Sequence, residues 1–164
     1  MFDFNNAKKR LDEVITPTHL FYSEFFSDIA SNNVYIKPEN LQKTGSFKIR
    51  GAYNKLSKLD DASKEVGIIT ASAGNHAQGV AYSANKLGID ATICMPEQTP
   101  MIKVDGTLKY GANVVLHGDN FDACKDHAIK LAKENGYTFI PPFDDLDVIE
   151  GQGTIGLEII DELE

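Results

Sequence analysis

The chain of 164 residues carries 16 Lys plus Arg against 24 Asp plus Glu, a formal net charge of -8 at pH 7, with 42% hydrophobic and 24% charged residues. That length suits one ordinary domain able to bury a core, and the composition is that of a globular chain rather than a disordered one. An acidic balance with no Lys/Arg run longer than the three residues KKR (8–10) argues against nucleic acid, whose phosphates demand a basic footprint, and no stretch approaches the roughly 20 apolar residues of a membrane-spanning helix.

The opening MFDFNNAKKRLDEV does not read as a signal peptide, because its basic residues follow the first apolar ones and no apolar run comes after them. It predicts a helix with Phe4, Ala7, Leu11 and Val14 on one stripe. TPTHLF follows, then a short helical stretch near Glu24–Ala30 and a strand, VYIK (34–37), ended by Pro38. A helix is expected to open at Ser46 and run through GSFKIRGAYNKLSKL. From there the pattern turns regular. VGIITAS (66–72) is a β-branched run, and AGNHAQGVAYSANKLG (73–88) is a Gly-rich turn leading into a helix. DATICMP (90–96) is the next strand, followed by a helix from about Pro100 to Tyr110 and a strand in NVVLHG (113–118). FDACKDHAIKLAKENG (121–136) puts Phe121, Cys124, Ala128, Leu131 and Ala132 on one helical face and stops at Gly136. YTFIP (137–141) closes the series. Such alternation predicts an α/β fold with a parallel sheet covered on both faces, whose ligands bind beyond the carboxyl ends of the strands. The last segment, GQGTIGLEIIDELE, begins a helix that no Gly or Pro ends, so the chain is expected to be cut from a longer one.

Two segments could carry chemistry. In KTGSFKIRGA (43–52), Gly45 permits a tight turn, Ser46 is a good N-cap, and Phe47 and Lys48 fall in the first helical turn. The positive end of a helix disfavours an ammonium there, which lowers the lysine's pKa toward the neutral amine that condenses with a carbonyl. The competing reading is a solvated helix lysine. In SAGNHAQG (72–79), small residues between a strand and a helix let a ligand approach the backbone, helix amides are offered to an anion, and Asn75 and His76 add side-chain groups. The competing reading there is a plain βα turn.

Other motifs read as structural. GQGTIG (151–156) formally matches a dinucleotide fingerprint, but DDLDVIE before it is no convincing buried strand, so a helix start with flexible glycines is expected. Asp144, Asp145 and Asp147, like Asp119, Asp122 and Asp126, lack the spacing of a calcium loop and read as solvated surface and helix-start residues. His19, His76, His117 and His127 show no paired metal-ligand spacing, and no metal is expected. Cys94 and Cys124 read as reduced core residues of a cytoplasmic protein, and Ser72 has no evident His/Asp partners for a triad.

Taken together, ENLQKTGSFKIRGAYNKL, SAGNHAQGVA, VVLHGDNF and IPPFDDLDVIEGQGTIGLEI resemble the threonine dehydratase (threonine ammonia-lyase) family, collinearly over essentially the whole chain. These are pyridoxal 5'-phosphate enzymes of the tryptophan-synthase-β-like fold, built from three-layer parallel α/β sheets. The resemblance implies that residues 1–62 and 145–164 belong to a larger domain, truncated here, and that 63–144 form a nearly complete smaller one. It implies that Lys48 condenses with the cofactor aldehyde, that Phe47 packs on the pyridine ring, and that Asn75 hydrogen-bonds its phenolic oxygen. Ser72, Ala73, Gly74, Asn75 and His76 are implied to line the loop holding the carboxylate of a small amino-acid substrate. Lys43 and Thr44 align with positions that some nucleotide-regulated members use for an effector.

The chemistry so implied is β-elimination: L-threonine or L-serine loses its Cα proton to the freed Lys48 amine and then its hydroxyl, giving a 2-oxo acid and ammonia. Related serine racemases carry, in place of Ala73, a serine that serves as the opposite-face proton carrier. Alanine has no exchangeable proton, so dehydration is expected over racemisation. Family members run longer. Their remaining part supplies the glycine-rich loop for the cofactor phosphate, and the full-length form is expected to be a homo-oligomer. The 164-residue species alone is therefore expected to be weak or inactive. The alternatives are a non-catalytic binding or assembly fragment and a serine racemase-like relative.

Overall fold

The computed structural model describes residues 2–163. The amino-terminal part contains α1 (Phe4–Leu11), β1 (Phe21–Tyr22), α2 (Glu24–Ala30), β2 (Tyr35–Ile36), a single 3₁₀ turn at Glu39–Leu41, α3 (Lys48–Ser57) and α4 (Asp61–Val66). Then follow β3 (Ile68–Ala71), α5 (Asn75–Leu87), β4 (Ala91–Met95), α6 (Met101–Leu108) and β5 (Asn113–Leu116). The chain closes with α7 (Phe121–Asn135), β6 (Thr138–Phe139) and α8 (Leu146–Leu163). β1 and β2 pair antiparallel as a small ribbon, while the other four strands form a parallel sheet in the order β5-β4-β3-β6.

Alternation along the strands divides the core in two. Ile68, Ile93 and Met95 face one side and pack with Val80, Ala81 and Ala84 of α5 and Val104 of α6. Ile69, Ala71 and Cys94 face the other, against Cys124, Ala128 and Ala132 of α7. A strand apolar on both faces is what a sheet sandwiched between helices requires. No helix among the described residues is long and apolar enough to cross a membrane.

α3 lies between α5 and α8, and glycines allow the approach. A Cβ on Gly79 of α5 would sit 3.1 Å from the Lys48 carbonyl carbon and 3.2 Å from the Ile49 nitrogen. On the opposite side a Cβ on Gly151 would run into the Arg50 carbonyl oxygen and sit 2.8 Å from the Gly51 Cα. A buried ion network locks the second contact. Arg50 is fully buried; its guanidinium donates to both carboxylate oxygens of Glu39 (2.9 and 2.8 Å) and of Glu158 (2.6 and 2.9 Å), and to the Thr154 hydroxyl at 3.1 Å. Two bidentate carboxylates satisfy a charge that would be prohibitive to bury alone.

Several expectations need correction. The helix carrying Lys48 starts at Lys48 itself, with Phe47 at the N-cap; Ser46 is buried and its Oγ accepts only a long 3.4 Å bond from the Lys48 amide. Val66 belongs to the unforeseen helix α4, and the strand begins after Gly67, whose φ of 102° breaks the helix. α8 begins at Leu146, five residues before the glycines, because Asp145 Oδ1 accepts from the amides of Asp147 (2.9 Å) and Val148 (3.1 Å). Gly151 and Gly153 are thus interior helix residues chosen for contact, not a flexible start. Nor are Asp145 and Asp147 free surface charges: both pair with Lys55, at 2.8 and 3.2 Å, and Asp147 also pairs with Lys58. Phe121 sits 45% exposed at the start of α7 rather than on its buried face.

The two kinds of glycine on α8 should respond oppositely to the same substitution. Gly151→Ala must push α3 from α8 and is expected to destabilise by about 1–3 kcal/mol. Gly156→Ala, where an added Cβ meets nothing within 4 Å, should stabilise by up to about 1 kcal/mol through helix propensity. Thermal unfolding of both variants checks this; equal shifts would contradict the packing role of Gly151.

Candidate active site

Lys48 occupies the first position of α3, after a turn in which Gly45 takes the left-handed φ of 72°. Its side chain is half-buried, and Nζ donates to the Pro142 carbonyl at 2.7 Å. The amine lies 5.5 Å from the centroid of the Phe47 ring, which is 40% exposed. Among the described residues no carboxylate forms an ion pair with it. Burial holds its pKa below the ordinary value of 10.5. The direction is the one expected from the sequence; the cause is lost hydration rather than the helix end.

The loop 72–75 leaves β3 at its carboxyl end. Ser72 Oγ accepts from the amides of Gly74 and Ala77, both at 3.3 Å, and so does part of the capping of α5 that Gly74, its N-cap, cannot do. Asn75 is exposed in the first turn, and a Cβ on Gly74 would meet nothing within 4 Å. Ala73 is half-buried against the core around α5. The amino end of α5 is thereby open to an anion approaching from outside the sheet.

His76 is placed differently from Asn75. It is 3% exposed, and its Nε2 lies 3.2 Å from the Ile140 carbonyl oxygen. A carbonyl can only accept, so Nε2 carries the proton and Nδ1 is an unprotonated nitrogen, buried without a partner. Burial, first, pushes its pKa down to about 4, aided by the nearby Lys48 charge and opposed by the bond to Ile140. The ring is neutral at pH 7.

Beyond the carboxyl ends of β3 and β6 lies a cleft of about 260 Å³ lined by Ala71, Phe121, Phe139, Pro142 and Phe143, among others. Lys43 is exposed, with its carbonyl accepting from the Tyr110 hydroxyl at 3.1 Å, and Thr44 is buried with its hydroxyl unpartnered. His117 and His127 stack ring on ring at 3.7 Å. Among the described residues no group of three or more His, Cys, Asp or Glu could hold a metal ion.

The structure thus brings Lys48, Phe47 and the Pro142 carbonyl together, and places Ser72, Gly74 and Asn75 in the turn from the carboxyl end of β3 into α5. Sequence reasoning missed Pro142, whose role is carried by its backbone oxygen and leaves no side-chain signal. It also missed Gly79 and Arg50. A glycine inside a helical pattern costs about 1 kcal/mol and so hints at a close approach, whereas Arg50 looks like any helix-surface cation until its two carboxylates converge on it.

Comparison with known proteins gives a consistent picture. The profile of pyridoxal-phosphate dependent enzymes matches residues 11–164. A catabolic L-threonine dehydratase of Staphylococcus aureus is 53% identical over 162 residues, 98% of this chain and 47% of that protein. The processed form of threonine deaminase isoform 2 from Solanum lycopersicum superposes with a TM-score of 0.90 at 44% identity, covering 99% of this chain and 47% of its own. Serine racemase from Dictyostelium discoideum superposes with a TM-score of 0.91 at 35% identity, covering 98% of this chain and 52% of its own. The chain therefore spans about half the length of the relatives it matches.

The neutral state of His76 makes stability pH-dependent. A folded pKa near 4 against 6.5 unfolded means the unfolded chain binds the extra proton between those values, so stability falls as pH drops from about 6.5 to 4, by on the order of 3 kcal/mol. Denaturation of the parent and of His76→Gln across that range should show a flatter profile for the variant. An identical slope would mean that His76 titrates normally.

Proposed function

The chain belongs to the family of pyridoxal-phosphate-dependent enzymes, and from that membership we propose that it carries the reactive lysine and the carboxylate-binding loop of an L-threonine/L-serine dehydratase. The reaction is β-elimination, converting L-threonine to 2-oxobutanoate and ammonia. The observation that carries this reading is the Lys48 amine: half-buried, its pKa lowered by burial, and held by a neutral backbone carbonyl at 2.7 Å instead of a carboxylate.

The residues present fit the cofactor. An amine without an ion-pair partner is available for an aldehyde, the Phe47 ring beside it offers a flat apolar face, and exposed Asn75 offers an amide at the same rim. When bound, the cofactor supplies the aldehyde and an electron sink for the carbanion left at the substrate Cα. Everything else falls to the chain. The open amino end of α5, capped by Ser72, would hold the substrate carboxylate through backbone amides. Lys48 Nζ, whose ammonium burial disfavours, would take the Cα proton as general base once it is freed as the amine. Ala73 brings no hydroxyl to the loop, so no proton carrier arises at that position to return a proton to Cα on the opposite face. The likeness to a racemase in overall shape supports the fold alone, while the 53% identity to a dehydratase supports elimination.

Incubation with pyridoxal 5'-phosphate, borohydride reduction and peptide mapping should place one adduct on Lys48, and Lys48→Ala should abolish it. Label spread over exposed lysines such as Lys130 with no preference for Lys48 would contradict the assignment and favour a non-catalytic module. Threonine-dependent release of 2-oxobutanoate from the 164-residue chain is expected to be weak or absent, because it spans 47% of its dehydratase relative. Racemisation of L-serine outpacing release of its 2-oxo acid would overturn the elimination chemistry.

A further inference from the structure

The Pro142 carbonyl that receives Lys48 is itself held in place by buried polar groups from elsewhere. Two residues upstream, the Ile140 carbonyl accepts from Thr70 Oγ1 at 2.6 Å and from His76 Nε2 at 3.2 Å, while the Ile140 amide donates to the Ile69 carbonyl at 2.8 Å. Ile140 and Thr70 are fully buried and His76 nearly so. Between this anchor and the lysine's acceptor stand only Pro141 and Pro142, each with φ locked near −65° by its ring. Ile140 and the Pro142 carbonyl are thus joined through two residues in which ψ is the one soft backbone torsion left. Holding His76 there leaves its Nδ1 buried and unpaired, which is unfavourable for a polar atom.

We propose, building on the reading of Lys48 above, that Thr70 and His76 are positioning residues for the Lys48 amine, acting through the Ile140 carbonyl and the stiff Pro141–Pro142 turn. Neither touches the reacting atoms. They fix where the acceptor for Nζ sits, so that the amine rests on a neutral oxygen. The titratable groups around this arrangement are Lys48 itself, His76 on α5, and Lys125 of α7 and Asp144, the last two lining the same cleft as Pro142. A released turn would let Lys48 swing off its seat toward solvent or Asp144.

Two readouts test this on the 164-residue chain. The first needs no cofactor: the ¹³Cε order parameter of Lys48 from NMR relaxation. It should fall in Thr70→Val, His76→Leu and Pro141→Gly toward the value of exposed Lys130, and should be retained in Thr70→Ser, which keeps the hydroxyl. The second is the rate of borohydride-trapped adduct formation on Lys48 with pyridoxal 5'-phosphate. It should drop about threefold to tenfold in the same three variants, the worth of one hydrogen bond. Thr70→Val and Pro141→Gly combined should lose no more than either alone, because both act along one path; a merely structural defect would add. Pro141→Gly removes no core side chain and decides the matter if Thr70→Val or His76→Leu fails to fold. A Lys48 as ordered in Pro141→Gly as in the parent overturns the proposal. Should the parent form no adduct, the function proposed above fails, while the order parameters still judge the positioning.

Discussion

Everything at the sheet edge depends on α3 being gripped from two sides. On one side Gly79 lets α5 touch the backbone of Lys48 and Ile49; on the other Gly151 lets α8 touch Arg50 and Gly51. Each interior glycine gives up roughly 1 kcal/mol of helix propensity, which is tolerable only because contact at van der Waals distance and the doubly bidentate Arg50 replace it. Since Lys48 is the first residue of that helix, any rotation or slide of α3 would move the amine directly. The grip converts a flexible four-carbon side chain into one anchored at a defined point.

Burial then does the chemical work. A lysine in water is an ammonium at neutral pH, and an ion pair would keep it so. Here partial desolvation lowers the pKa of Lys48, and the acceptor for Nζ is a carbonyl that brings no formal charge. Desolvation works the same way on His76, holding it neutral with a defined tautomer so that it can donate to Ile140 without adding an imidazolium beside the lysine. The neighbouring loop is complementary: Ser72 satisfies two amides of the turn and leaves the end of α5 open. One edge therefore presents a reactive amine and, next to it, a place for an anion.

Much of this was legible in the sequence, and the residues show why. The strands at 68–71 and 91–95 were visible because a sheet covered on both faces needs unbroken apolar runs, and α7 was visible because its buried face repeats at helical spacing and ends at Gly136. Lys48 and the 72–76 loop were legible through local chemistry and through the family's blocks. What escaped was long-range. The start of α8 was missed because Asp145 caps it from within an acidic stretch that resembles surface, and α4 because its six residues, four of them polar, carry no periodicity. Phe121 was assigned to a buried face because periodicity cannot see that the first turn of α7 overhangs a cleft. Partners such as the Pro142 and Ile140 carbonyls, 94 and 64 residues from Lys48 and His76, have no sequence signature at all.

The most direct measurement is an NMR pH titration of the Lys48 side chain, following its ¹³Cε shift beside those of the exposed lysines. A midpoint displaced below 10.5, with Lys130 unshifted as the internal reference, is the expected result. A Lys48 midpoint at or above that of the exposed lysines would mean that the amine is an ordinary surface cation, and the catalytic reading of this site would be lost.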